Sequence, residues 1–433
     1  MRLPAWFQPG LGVKRWLALL LSGILVISLG LGYLLRHLYD SVQVPGYFYY
    51  LTLQFMPREG RILLFLGGGL AIVGLALWQL NRSVIGALLL TGRPDAVSLV
   101  YQRRQLRRGP RVVVIGGGTG LSTLLRGLKE HTGNLSAIVT VADDGGSSGR
   151  LRRELGVLPP GDFRQCIVAL ADAEPLMTEL FEYRFGEEEA SSLAGHNFGN
   201  LFISAMAGVT GDFERALRES ARVLAVRGEI LPSTLADVVL WADLVDEAQV
   251  EGESQIPCSG VPIARVHLRP EDPPAYAEAL RAILEADLIL IGPGSLYTSI
   301  LPNLLVPDII RAIRATQAMK VYVCNTATQP GETDGYGAGD HVRALLEHVG
   351  PQVLDLVLTN DNLNAEFPTD WRPIPPPVGD IITGGVRVVV RRADLADPAR
   401  PWRHDSAKLA HTVMQLYYEH ANHASKRSWF RAG

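Results

Sequence analysis

The segment RVVVIGGGTGLS, Arg111 to Ser122, constrains the fold of this chain more than any other stretch. VVVI is wholly β-branched, which favours a strand, and it stops at three consecutive glycines before a helix-periodic run, LSTLLRGLKEH. A glycine turn between strand and helix lets a ligand approach the backbone and leaves uncapped N–H groups at a helix N-terminus, which suits a phosphate or another anion. The segment departs from the dinucleotide fingerprint, because Leu121 stands where the spacing from Gly116 and Gly118 calls for a third glycine. It also lacks the lysine of a Walker loop. Gly117, Gly118, Thr119 and Gly120 are the candidate ligand contacts here.

The same texture recurs from Pro110 onward. LSAIVTV (135–141), DLILI (287–291), KVYVCN (320–325) and VLDLVLTN (353–360) are nearly continuous apolar runs, as expected of parallel strands covered by helices on both faces. Between them, stretches such as PAYAEALRAILEA and DHVRALLEHV carry helical periodicity. The pattern predicts an α/β fold, Rossmann-like and doubly wound around a mostly parallel sheet. Ligands of such folds bind beyond the carboxyl ends of the strands, so the residues that follow each strand carry the functional reading.

After the second strand comes VADDGGSSGRLRREL. Asp143 or Asp144 is placed to accept from ribose hydroxyls; the pair could equally hold Mg²⁺ together with ligand phosphates, or one of them could cap the following helix. Ser147 and Ser148 lie in a second glycine-rich loop, and Arg150, Arg152 and Arg153 follow with guanidinium groups that match phosphate. In GHNFGN, residues 195–200, His196 and Asn200 are four apart and share a face if helical, while Asn197 suits a helix-opening turn. His196 reads as a general base, a ligand contact or a structural cap. GPGS, with Gly292, Gly294 and Ser295, repeats the glycine-turn logic after DLILI. Asn325, Thr326, Gln329 and Glu332 in the next loop offer groups that fit a uracil or sugar edge.

The N-terminal part is of another kind. Residues 16–35 and 62–80 are two uncharged apolar stretches, and 20 residues of helix span about 30 Å, the thickness of a bilayer core. Basic residues flank the pair, with Arg103, Arg104, Arg107 and Arg108 after the second, so the expectation is a two-helix transmembrane hairpin over residues 1–82. A basic juxtamembrane linker (83–109), a nucleotide-binding domain (110–420) and a C-terminal tail (421–433) complete the expected organisation. Both the N-terminus and the large domain are expected on the cytoplasmic side of the inner membrane. A net charge of -3 gives no global nucleic-acid footprint, and three scattered cysteines make neither a disulfide framework nor a CxxC site. HExxH and a Ser-His-Asp order are absent from the sequence.

VIGGGTGLSTLLRGLK, VTVADDGGSSGRLRRELGVLPPGDFRQCIVALAD, LAGHNFGN, VRGEILPST, ADLILIGPGSLYTSILPNLLVP and VCNTATQPGET together resemble the YvcK family of gluconeogenesis and morphogenesis factors, within the CofD-like superfamily. The resemblance covers Pro110 to about His420. It implies binding of UDP-N-acetylglucosamine and a regulatory effect on carbon flow into cell-wall precursors and on cell shape, with a cell-wall precursor enzyme as partner and self-association. Its superfamily branch with known chemistry, the 2-phospho-L-lactate transferases acting on a deazaflavin acceptor, is the alternative reading. NAD(P) is the competing ligand because the first turn also resembles a Rossmann turn. For a catalytic reading the candidates are Asp143, Asp144 and His196. The membrane hairpin is the departure from typical soluble members.

Overall fold

The computed structural model describes residues 22–28, 30–34, 37, 46, 49–50, 53, 55–89, 106–172, 175–186, 193–363, 367–368, 371–383 and 385–429. It divides into two units, Met1–Arg104 and Gln105–Gly433. The expected first span, the linker and the C-terminal tail lie partly outside the described residues.

In the first unit, helix α1 (Arg58–Leu89) takes in the whole second apolar stretch, and residues 22–28 and 30–34 of the first stretch are also helical. Leu63, Leu66 and Ile72 of α1 are exposed. Among the described residues no single helix is long and apolar enough to cross a membrane.

The second unit alternates strand and helix. Its main sheet contains β1 (Val112–Gly116), β2 (Leu135–Val139), β3 (Glu229–Pro232), β7 (Leu288–Ile291), β8 (Met319–Val323), β9 (Leu356–Asn360), β10 (Ile381–Thr383) and β11 (Val386–Ala393). A smaller sheet holds β4 (Val239–Leu244), β5 (Gln249–Glu251) and β6 (Ile263–Arg269). The helices are α2 (Gly118–Leu128), α3 (Gly146–Leu155), α4 (Gly161–Leu170), α5 (Pro175–Glu182), α6 (Phe198–Thr210), α7 (Phe213–Val223), α8 (Ala277–Glu285), α9 (Leu301–Leu304), α10 (Pro307–Ala315), α11 (Ala338–Val349) and α12 (Ser406–Trp429).

The main sheet runs in the order β10-β11-β9-β8-β7-β1-β2-β3, and every pairing is parallel except β10 with β11. The five strands expected from apolar runs are all present. β1, β7, β8 and β9 are buried at every residue, which is why they lack an alternating pattern. The antiparallel small sheet shows the opposite case. β4 alternates, with Leu240, Ala242 and Leu244 buried, so one face packs inward and the other meets solvent.

The chain winds from β1 through β2 to β3 in one direction and from β7 through β8 to β9 in the other. Strand order therefore reverses between β1 and β7, and the crevice above their carboxyl ends is the expected ligand position. A larger hollow, about 450 Å³, lies at the amino ends of β1 and β2 beside Arg111 and Leu135, at the other end of these strands from the strand-to-helix turns.

Candidate functional site

The turns that follow β1 and β7 meet at the switch point. A Cβ on Gly120 would stand 2.5 Å from the carbonyl oxygen of Pro293, so the first turn of α2 and the GPGS turn close on each other only because Gly120 has no side chain. Gly118 has φ of +63°, in the left-handed region, and it starts α2, whose N-cap Gly117 provides no side-chain cap. Gly118 N–H donates to Asp162, and the first-turn N–H groups of α2 that follow it are left for a ligand.

Between the turns lies a cleft of about 250 Å³. Gly117, Gly118, Thr119, Gly120, Gly294, Ser295, Asn325 and Gln329 all line it; Gly292 belongs to the second turn without lining the cleft. The two amides turn out to hold the protein rather than to stand free. Asn325 clamps Gly294, accepting from its N–H at 3.1 Å and donating to its carbonyl at 2.8 Å, and Gln329 donates to Ser295 Oγ at 2.6 Å. They fix the second turn as a rigid wall.

Sequence reasoning missed part of the opposite wall: Trp371, Trp402 and Arg403 also line the cleft. Isolated tryptophans outside any motif give no signal in one sequence. Thr326 and His404 line it too, and Thr326 Oγ1 and His404 Nε2 are buried with no hydrogen-bond partner among the described residues. Burial pushes the His404 imidazole down to about 4 against a hydrogen bond to the Cys324 carbonyl, so the ring is neutral near pH 7. An orphaned buried polar atom costs about 1–3 kcal/mol, which a bound ligand can offset.

The second group of predicted residues lies beyond the end of β2. Asp143 Oδ1 accepts from Gly145 N at 2.9 Å, and Asp144 Oδ1 accepts from Ser254 N at 2.9 Å. Neither aspartate caps α3, whose N-cap is Gly145. Ser147, His196, Asn197 and Asn200 are buried and hydrogen-bonded together. His196 precedes α6 instead of sharing a helical face with Asn200, and the cap is Asn197, which accepts from Gly199 N at 2.9 Å and Asn200 N at 3.3 Å. Arg150 donates to the carbonyl of Ala194, and Ser148 hydrogen-bonds Asp143.

Asp162, at the start of α4, links the two groups and was not singled out in the sequence. Its carboxylate accepts a hydrogen bond from the backbone of Gly118 and lies against Gly117, while its charge reaches Asp143. Desolvation first, then the Asp143 charge, pushes Asp162 up to about 7. Glu253 is pushed up to about 8, again chiefly by desolvation, then by Asp143 and Asp162. Glu332 rises to about 7 by burial, against hydrogen bonds from Thr298 and Tyr297. The recess beside the first glycine turn is therefore acidic and frustrated, and a cation or a proton relieves it. Among the described residues no group of three or more His, Cys, Asp or Glu side chains is arranged to hold a metal ion.

The sequence profile of the family of the 2-phospho-L-lactate transferase CofD matches residues 112–370. The chain belongs to the CofD family. Within this family it is 47% identical to the gluconeogenesis factor of Bacillus subtilis over 316 residues, 72% of this chain and 99% of the relative. A relative from Nostoc sp. is 47% identical over 429 residues, covering 95% of this chain and 92% of its own length, so that match takes in most of the N-terminal unit as well. A crystal structure of a UPF0052 family member from Bacillus halodurans superposes with a TM-score of 0.64 at 44% identity, covering 71% of this chain and 99% of that one. The mixed α/β architecture with a large, mostly parallel sheet is thus that of a CofD-family member with gluconeogenesis-factor relatives.

Proposed function

We propose that this CofD-family chain is a nucleotide-sugar sensor that binds UDP-N-acetylglucosamine and regulates the flow of carbon into cell-wall precursors and cell shape. The observation that carries the reading is the cleft at the switch point: two glycine turns in contact, a helix N-terminus facing it and aromatic side chains opposite. The first-turn N–H groups that follow Gly118 suit the diphosphate, and Trp371 and Trp402 offer flat apolar faces to a base or sugar ring. If the ligand brings Mg²⁺, Asp143 and Asp144 beyond the end of β2, with Asp162 beside Asp143, are the carboxylates at hand for it. NAD(P) is the competing ligand. Its fit is poorer because Leu121 replaces the third glycine of the dinucleotide turn.

The exposed apolar residues of α1, with the uncharged stretch 16–35, support a membrane hairpin that tethers the sensor at the cytoplasmic face of the inner membrane, near a cell-wall precursor enzyme. Self-association belongs to the same proposal. Calorimetric titration of the full chain with UDP-N-acetylglucosamine, and with GDP and NAD as comparators, tests the ligand. Selective binding without turnover supports the sensor.

The acidic recess beside the anion cradle favours a second reading, group transfer of the CofD type, with Asp143, Asp144 or His196 in catalysis. Turnover of a nucleotide-activated phospho-lactate with a deazaflavin acceptor, or preference for GDP in the titration, would select that reading.

A further inference from the structure

The GHNFGN segment contains a donor relay whose direction can be worked out atom by atom. Arg164 is a donor only, so the Asn200 atom that its Nε meets at 3.1 Å is the amide oxygen, and the NH2 group is the one facing Ser147 Oγ at 3.2 Å. The backbone N–H of Asn197 also donates to Ser147 Oγ, at 3.3 Å. Both acceptor positions of this hydroxyl are then filled. Its proton goes to Nδ1 of His196, 3.1 Å away. Nδ1 must therefore be bare, and the ring proton of the neutral imidazole sits on Nε2. His196 as a residue is only 4% exposed, and Nε2, which is not among the atoms sealed from solvent, has no hydrogen-bond partner among the described residues.

The surroundings show what an N–H there would serve. Ser147 belongs to the first turn of α3, a ten-residue helix whose N-cap Gly145 supplies no side-chain cap. Arg150, one turn on, reinforces the positive end of the helix, while Asp143 lies just before it. A neutral donor can meet an anionic oxygen at this position without being captured by the neighbouring carboxylates, as a lysine would be.

We propose that His196 is a ligand-contacting residue, held in the Nε2–H tautomer by Arg164, Asn200 and Ser147 as positioning residues, and that it donates to a phosphate oxygen of the bound nucleotide sugar. The ligand half of this inference rests on the nucleotide-sugar reading; the tautomer half does not. Long-range proton–nitrogen NMR of the full chain carrying ¹⁵N-histidine, recorded without ligand, is expected to show His196 as Nε2–H alone. Ser147→Ala is expected to release a mixture of tautomers. An Nδ1–H signal or a mixture in the unaltered protein would overturn the relay.

Affinity for UDP-N-acetylglucosamine then tests the contact. His196→Gln keeps an N–H near the place of Nε2 and is expected to bind within about threefold of the unaltered chain, whereas His196→Asn reaches only to Nδ1 and loses about tenfold or more. Equal affinities in the two variants would refute the contact. Absence of binding by the unaltered chain would sink the nucleotide-sugar reading and the ligand half together, and the tautomer spectrum would still decide the relay by itself.

Discussion

Asp162 is the group on which the electrostatics of the site turn, and replacing it by asparagine isolates its contribution. Asparagine keeps an acceptor for the Gly118 backbone and removes the ionisation. Asp162 is raised from 3.8 to about 7, roughly three units, which at 1.36 kcal/mol per unit gives an upper bound of about 4 kcal/mol. The carboxyl is half-buried and coupled to Asp143, so the observed value should fall below that bound. The sign follows from linkage. The folded pKa lies above the unfolded one, so the native state binds the proton more tightly. Stability from this group is therefore lost as pH rises from about 4 to about 7. The Asp162→Asn side chain does not titrate, so its advantage over aspartate should grow by up to about 3 kcal/mol between pH 4.5 and 8.5. The pH-dependent part of this difference is free of any fixed cost of the substitution. Urea unfolding of both proteins at the two pH values reads it. A difference that stays constant with pH, or that shrinks as pH rises, would refute the assignment of Asp162 as a desolvated carboxyl beside Asp143.

Gly120→Ala drives a methyl group into the Pro293 carbonyl, so the two turns must part; ligand affinity should fall more than tenfold with a stability loss of about 1–3 kcal/mol, read by titration and urea unfolding. Asn325→Leu removes both hydrogen bonds to Gly294 and should loosen the second turn, which faster amide exchange at Gly294 and Ser295 would reveal. His404→Ala removes a buried orphan acceptor next to the cleft together with the hydrogen bond to the Cys324 carbonyl, so the unliganded protein loses stability; if the ligand satisfies Nε2, its affinity for the folded protein drops by about tenfold as well, read by titration. Leu66→Arg combined with Ile72→Arg should release the full chain from a membrane fraction, and retention after that change would count against the hairpin.

Much of the fold was legible in the sequence, because its signals are local. A parallel strand covered on both faces reads as an unbroken apolar run, and a glycine turn before a helix marks where backbone must come close to something. β1, β2, β7, β8 and β9 and both glycine turns follow from such runs. The edge strands β3 and β10, the inner strand β11 and the small sheet did not, since they are short or interrupted by polar residues. The first-turn cap was narrowed to GHNFGN by composition, but only the backbone path separates Asn197, which caps, from His196, which does not.

The sequence by itself determined which residues are chemically equipped: glycines where a side chain cannot fit, paired aspartates, a serine-rich helix start, and apolar runs that have to be buried. The tertiary structure decided which of them meet. The reversal of strand order between β1 and β7 sets Gly120 against Pro293, places Asp162 between Gly118 and Asp143, and makes Asn325 and Gln329, which line the cleft, the supports of its second turn. Those partners lie between about 20 and 170 residues apart in the chain. Separations of that length are closed by packing of the whole sheet and its helices, so no local pattern encodes them. The pKa values of the site follow from the same cause, because desolvation is a property of the surrounding structure and not of the residue.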